Sequence, residues 1–132
     1  MFSGCSSLTT LDLSNWNTGD LENITSMFSG CSALTSLNLS FWKVDEVKNM
    51  SLMFYNCTSL RTLYATYWDP GIVEDMHSML CNCRSLTSLD IFYWDVQSLE
   101  DISSMFSGCS SLTFLNISNW SGDFTNMHSM FS

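Results

Sequence analysis

Basic residues are scarce in this 132-residue chain: Lys and Arg together number 4 against 13 Asp and Glu, for a net charge of −9. That balance repels phosphate backbones and anionic headgroups, so nucleic acid and membrane surfaces are excluded as favoured partners. No run of about 18 apolar residues exists to span a bilayer, and the first residues carry neither the basic stretch nor the apolar core of a secretory leader. There is no phosphate-cradling glycine loop, and no recognisable motif brings Ser, His and an acid together. The expectation is a protein that is not an enzyme and carries no cofactor.

What the sequence does have is a period. Trp16, Trp42, Trp68, Trp94 and Trp120 are its only tryptophans and stand 26 residues apart, as do Cys5, Cys31, Cys57, Cys83 and Cys109. Leu8, Leu34, Leu60, Leu86 and Leu112 keep the same step, and so do Leu11, Leu37, Leu63, Leu89 and Leu115. A fixed period of this length is the mark of a stacked repeat array rather than of a single globular core. The units run 1–26, 27–52, 53–78, 79–104 and 105–132, a single array that begins and ends in mid-phrase without polar caps, as expected of part of a longer protein.

Within a unit, Leu11 and Leu13 alternate around Asp12, the period-two signature of a short half-buried strand. Strands are therefore expected near residues 9–14, 35–40, 61–66, 87–92 and 113–118. Turn formers follow each Trp. Leu21, Ile24, Met27 and Phe28 then fall at i, i+3, i+6 and i+7, which predicts one or two helical turns, repeated by Val47, Met50, Met53 and Phe54 and by the later units. The fifth unit is one residue short after Trp120, in a loop where a deletion is tolerated. One unit buries too little to offset ordering its own backbone, at about 1–2 kcal/mol per residue, so the units must stack and share their cores.

The lead-in M-F-x-G-C-x-x-L followed by L-x-L-x-x-W resembles the BspA-like leucine-rich repeats of bacterial surface proteins. The likeness covers all five units, with departures at Tyr55-Asn56 and at Leu80-Cys81-Asn82. It implies an α/β repeat solenoid, a right-handed leucine-rich-repeat-like coil with one short parallel strand and one short helical or 3-10 segment per turn. It further implies an extracellular or cell-surface setting and a role in adhesion or protein binding.

The strict cysteine row reads as buried, reduced thiols, because a ladder presents sulfurs in line and not in the tetrahedron zinc requires. Cys81, with His77 and Cys83 nearby, offers too few ligands for a metal and is expected to be a surface thiol. His77 and His128 share a slot expected to face solvent. Asn23, Asn49, Asp75, Asp101 and Asn126 share a slot before the apolar stripe and are expected to cap helix N–H groups. The acidic pairs near them serve solubility, and no regular D-x-D loop supports calcium.

Binding is expected where the units differ, on the outward strand face. Tyr64, Thr66, Asp90, Phe92, Phe114 and Asn116 form an aromatic and polar patch suited to a protein or glycan ligand. Strand parity turns the flanking Phe41, Tyr67 and Tyr93 inward beside the tryptophans. A structural spacer or an end-to-end self-associating filament unit is the alternative reading.

Overall fold

A computed structural model describes all residues 1–132. It contains no helix, and its only strands are β1 (Ser36–Asn38), β2 (Thr62–Tyr64), β3 (Ser88–Asp90) and β4 (Phe114–Asn116). They pair in parallel as β1 with β2 and β3 with β4, with Leu37 opposite Leu63 and Leu89 opposite Leu115. The expected α/β solenoid with a helical segment in each turn is therefore not formed.

The reason lies in how the apolar stripe spends its backbone N–H groups. Residues Ser26, Leu52, Ser78, Ser104 and Ser129 all have φ between 51° and 57°. A left-handed residue after Ile24 and its equivalents breaks any helix at its first turn. The amides then alternate. Met27, Ser29 and Cys31 close tight turns onto Ile24, Ser26 and Phe28, whereas Ile24, Ser26, Phe28 and Gly30 donate to Asn49, Ser51, Met53 and Tyr55 of the next unit. A helix would satisfy only itself, but this arrangement satisfies both turn and stack.

The pattern repeats up the array. Parallel bridges join Asn23, Asn49, Asp75, Asp101 and Asn126 in one unbroken line through all five units. The missing residue of the fifth unit has been absorbed before that point, since Ile102 donates to Asn126, Ser104 to His128 and Phe106 to Met130. The side that carries the strands is less regular. No backbone hydrogen bond joins β2 to β3, and no strand forms at 9–14, where the link to the second unit is a single N–H from Thr35 to Thr9 at 3.5 Å.

The core is one continuous cluster between these two sides, built from the Leu, Met, Phe, Cys and Trp rows. Phe28 stacks between Phe2 and Phe54 with ring centroids 5.5 Å away on either side. Trp68 and Trp94 stack at 5.5 Å and Trp94 and Trp120 at 6.3 Å. The cysteine expectation holds for the inner units, where Cys31, Cys57 and Cys83 are buried and unbridged, while Cys5 at the open end is exposed. Cys81 departs from it: the residue is only 9% exposed and is not a surface thiol.

Candidate functional site

On the strand side, each unit leaves its strand by a turn. Trp42 N–H closes onto Leu39, Trp68 onto Ala65 and Trp94 onto Ile91. The residue just before each Trp therefore rides on a turn rather than on a continuing strand, and strand parity no longer governs it. Phe41, Tyr67 and Tyr93 consequently point outward, at 80%, 76% and 63% exposure, and not inward beside the tryptophans as parity suggests. Tyr67 and Tyr93 stack across units at 6.4 Å, and Phe92 meets Tyr93 edge-on at 5.1 Å.

Of the expected patch, Tyr64 and Phe114 are open to solvent, at 51% and 53%, on the outward face of β2 and β4. Phe92 and Thr66 are half-buried in the turn that follows. Asp90 is exposed but already employed, because its Oδ1 accepts the Phe92 N–H at 3.2 Å. Asn116 does the same for Ser118, from N–H at 3.4 Å and from the hydroxyl at 2.8 Å. Asp12 and Asn38 make the same turn in the first two units, at 3.0 and 3.1 Å. Their shared slot is thus a turn-making slot in four units of five, which the recurrence of Asx there already signals. Tyr64 is the one member released from that duty. The structure brings together Tyr64, Tyr67, Phe92, Tyr93 and Phe114 on one side, and shifts the weight of the patch from its polar members to its rings.

The slot expected to cap helices is also reassigned. With no helix present, Asn23, Asn49, Asp75 and Asp101 each accept the N–H two residues on at 2.8 Å, and Asn126 does so at 3.3 Å. They are also cross-linked between units: Asn49 Nδ2 donates to Asp75 at 3.1 Å and Asn126 Nδ2 to Asp101 at 2.9 Å. Desolvation raises the Asp101 carboxyl, but the Ser103 and Asn126 hydrogen bonds together with nearby His77 leave it below its ordinary value. His77 is half-buried with Nδ1 3.0 Å from Asp75, so it does not stand free in solvent, whereas His128 is exposed. No group of three or more His, Cys, Asp or Glu side chains is placed to hold a metal ion, and no helix is long and apolar enough to cross a membrane.

Two shallow hollows border the ring row. One, of about 320 Å³, opens beside Phe41 where the first unit stands off, between Asp12 and Asn38. The other, of about 340 Å³, lies beyond Tyr93 between the fourth and fifth units, walled by Asp95, Gln97, Asn119 and Ser121.

No curated protein and no solved structure matches the chain. One family model matches it twice, over residues 1–67 and 63–132. The chain belongs to the family described as Mycoplasma protein of unknown function, DUF285.

Proposed function

We propose that this chain is a non-enzymatic leucine-rich-repeat-type module of a cell-surface or secreted protein, which binds a protein or glycan through its strand side. The observation that carries the reading is the row of exposed rings. Phe41, Tyr64, Tyr67, Tyr93 and Phe114 are each more than half exposed on adjacent units of one side. An aromatic side chain offers about 150–250 Å² of contact area at little entropic cost. Grouped exposed apolar surface of this kind marks interaction sites, and aromatic anchors dominate binding energy. The rings replace small polar residues found in the same slots elsewhere in the array, such as Asn15 and Asn119 for the Phe41 row, Asn38 for Tyr64 and Thr10 for Phe114, so stacking the units does not require them.

The test uses two triple variants, Y64S/F92S/F114S and F41S/Y67S/Y93S, on arrays of immobilised extracellular proteins and glycans. Captured spots on the unsubstituted chain should fade at least tenfold in one or both variants, with thermal midpoints held within about 3 °C. Spots that persist in both variants rule the face out. The alternative reading, a spacer or end-to-end stacking unit, draws on apolar residues exposed at the two end units, such as Trp16 and Phe131. It gains ground if both arrays are silent and light scattering shows growth with concentration.

A further inference from the structure

We propose that the partner on this side is an extended Lys- or Arg-bearing segment of another protein, lying along the Phe41, Tyr67 and Tyr93 row with a cationic side chain in the hollow beyond Tyr93. The inference rests on the binding role proposed above and specifies its ligand. Its geometry begins with the shortened fifth unit. Thr18, Val44, Pro70 and Val96 occupy one buried slot in the first four units. Gly122 stands there in the fifth and is exposed. At this shortened corner, where Gly122 lies against the Val96 carbonyl and the Phe124 ring, the 340 Å³ hollow adjoins a more open one of about 500 Å³ lined by Gly122 and Asp123.

Charge decides what the hollow accepts. It is walled by Asp95, its neighbour by Asp123, and neither has a basic residue in its lining. Asp69, one unit before Asp95, faces the same way: a Cβ at Gly71 would lie 3.2 Å from an Asp69 oxygen and 3.6 Å from an Asp95 oxygen. The only ion pair in the molecule is His77 with Asp75, so none of these three acids is neutralised from within. Asp95 gives one oxygen to the Gln97 N–H at 3.1 Å and keeps the other. A planar guanidinium finds carboxylate acceptors, the side-chain carbonyls of Gln97 and Asn119, and the Tyr93 ring within one site, the combination that holds a desolvated cation.

The row itself sets length and direction. Units about 4.8 Å apart place the hollow roughly 14 Å from Phe41, a span covered by four or five extended residues at about 3.3–3.6 Å each. Lys43 holds the slot of Asp69 and Asp95 one unit earlier, and Arg61 is exposed on β2's approach. The bases on this side thus lie towards the Phe41 end, so the cationic end of the segment belongs at the Tyr93 end. A neutral glycan would use the rings and leave the acids unpaired, and an anionic one is opposed by the charge of −9.

The experiment measures fluorescence anisotropy of three labelled octapeptides on a Ser-Tyr background, identical except for two positions that are Arg, Gln or Glu. The Arg peptide should bind at least tenfold more tightly than the Gln peptide. D95N/D123N should weaken the Arg peptide about tenfold, and Y67S/Y93S likewise. E74Q/E100Q, which removes two charges from the opposite side, should change it less than twofold. Equal loss in both charge variants means bulk attraction and overturns the proposal, as does a Gln peptide that binds as well as the Arg one. If the Arg peptide fails while glycan spots on the arrays still depend on the rings, the ligand class is wrong and the binding role stands. Arg-peptide binding that ignores the ring substitutions sinks both.

Discussion

Two side chains in each unit fasten it to the one before, both reaching back 29 residues. Trp68 Nε1 donates to the Leu39 carbonyl at 2.8 Å, Trp94 Nε1 to Ala65 at 2.8 Å and Trp120 Nε1 to Ile91 at 3.2 Å. Thiols do the same on the other flank of the core: Cys57 donates to the Phe28 carbonyl at 3.1 Å and Cys83 to Phe54 at 3.3 Å. Trp42 is the exception, its buried Nε1 finding no acceptor because the first unit stands away from it. W68F and W42F therefore lose similar volume but differ by one hydrogen bond. W68F should be the more destabilising by about 0.5–1.5 kcal/mol in urea unfolding, and equal costs would show that the indole pin contributes nothing.

Burial also sets how the thiols ionise. Desolvation, with a smaller contribution from neighbouring cysteines, pushes Cys57 up to about 12; it pushes Cys109 to about 11 and raises Cys31 and Cys83 as well. The folded state holds these protons above pH 9 while the unfolded chain releases them, so stability is complete below about 9 and falls as pH rises towards 11–12. Each unit of pH in that window costs up to about 1.4 kcal/mol per suppressed thiolate. The urea midpoint should drop between pH 9 and 11, and less steeply in C57A. Identical slopes would show that burial of the Cys57 thiol does not contribute to the drop.

At the scale of the element, the deciding feature is the left-handed residue that recurs once per unit. Ser78, at φ 51°, strains any L residue and strains a β-branched one most. S78G should be neutral or stabilising by up to about 1 kcal/mol, and S78V should cost at least about 1–2 kcal/mol, both read by denaturant midpoint. Were the segment helical, the order would reverse, since glycine is the poorer helix former. Alternation around Leu11, Leu37, Leu63, Leu89 and Leu115 made the strands legible in four units of five, although each is three residues long and not six. The stripe of Ile24, Met27 and Phe28 was legible as buried but misread as helical, because spacing of three to four residues also suits consecutive tight turns.

For the molecule as a whole, each unit contacts only its neighbours, so stability accumulates by unit and by interface. Deleting residues 53–78 removes one full period and joins Leu52 to Met79, which restores the same phrase. The four-unit chain should keep its circular dichroism signature per residue while unfolding at lower urea; loss of cooperative unfolding would show that the units are not interchangeable. The joint between the third and fourth units differs from the second–third and fourth–fifth joints on its strand side, where no backbone bond runs from β2 to β3 and the Trp94 indole donates to Ala65. It lies directly beneath Tyr64 and Asp90, the middle of the proposed binding side.

The candidate site was legible in part. Tyr64 and Phe114 stood out in outward strand slots and are exposed there. Asp90 and Asn116, expected as polar members of the patch, also make turns, which was not legible because a sequence shows an Asx side chain but not the N–H two residues on that it accepts. By itself the sequence determined the period, the register and the identity of the core rows, since hydrophobic residues recurring every 26 positions can be buried together only by stacking. Only the tertiary structure decided that the apolar stripe is a chain of turns, that Phe41, Tyr67 and Tyr93 face outward, and that a hollow opens at Gly122. Each of these depends on where the adjacent unit offers a carbonyl or leaves a gap, and that information lies 25 to 29 residues away in the chain but about 5 Å away in space.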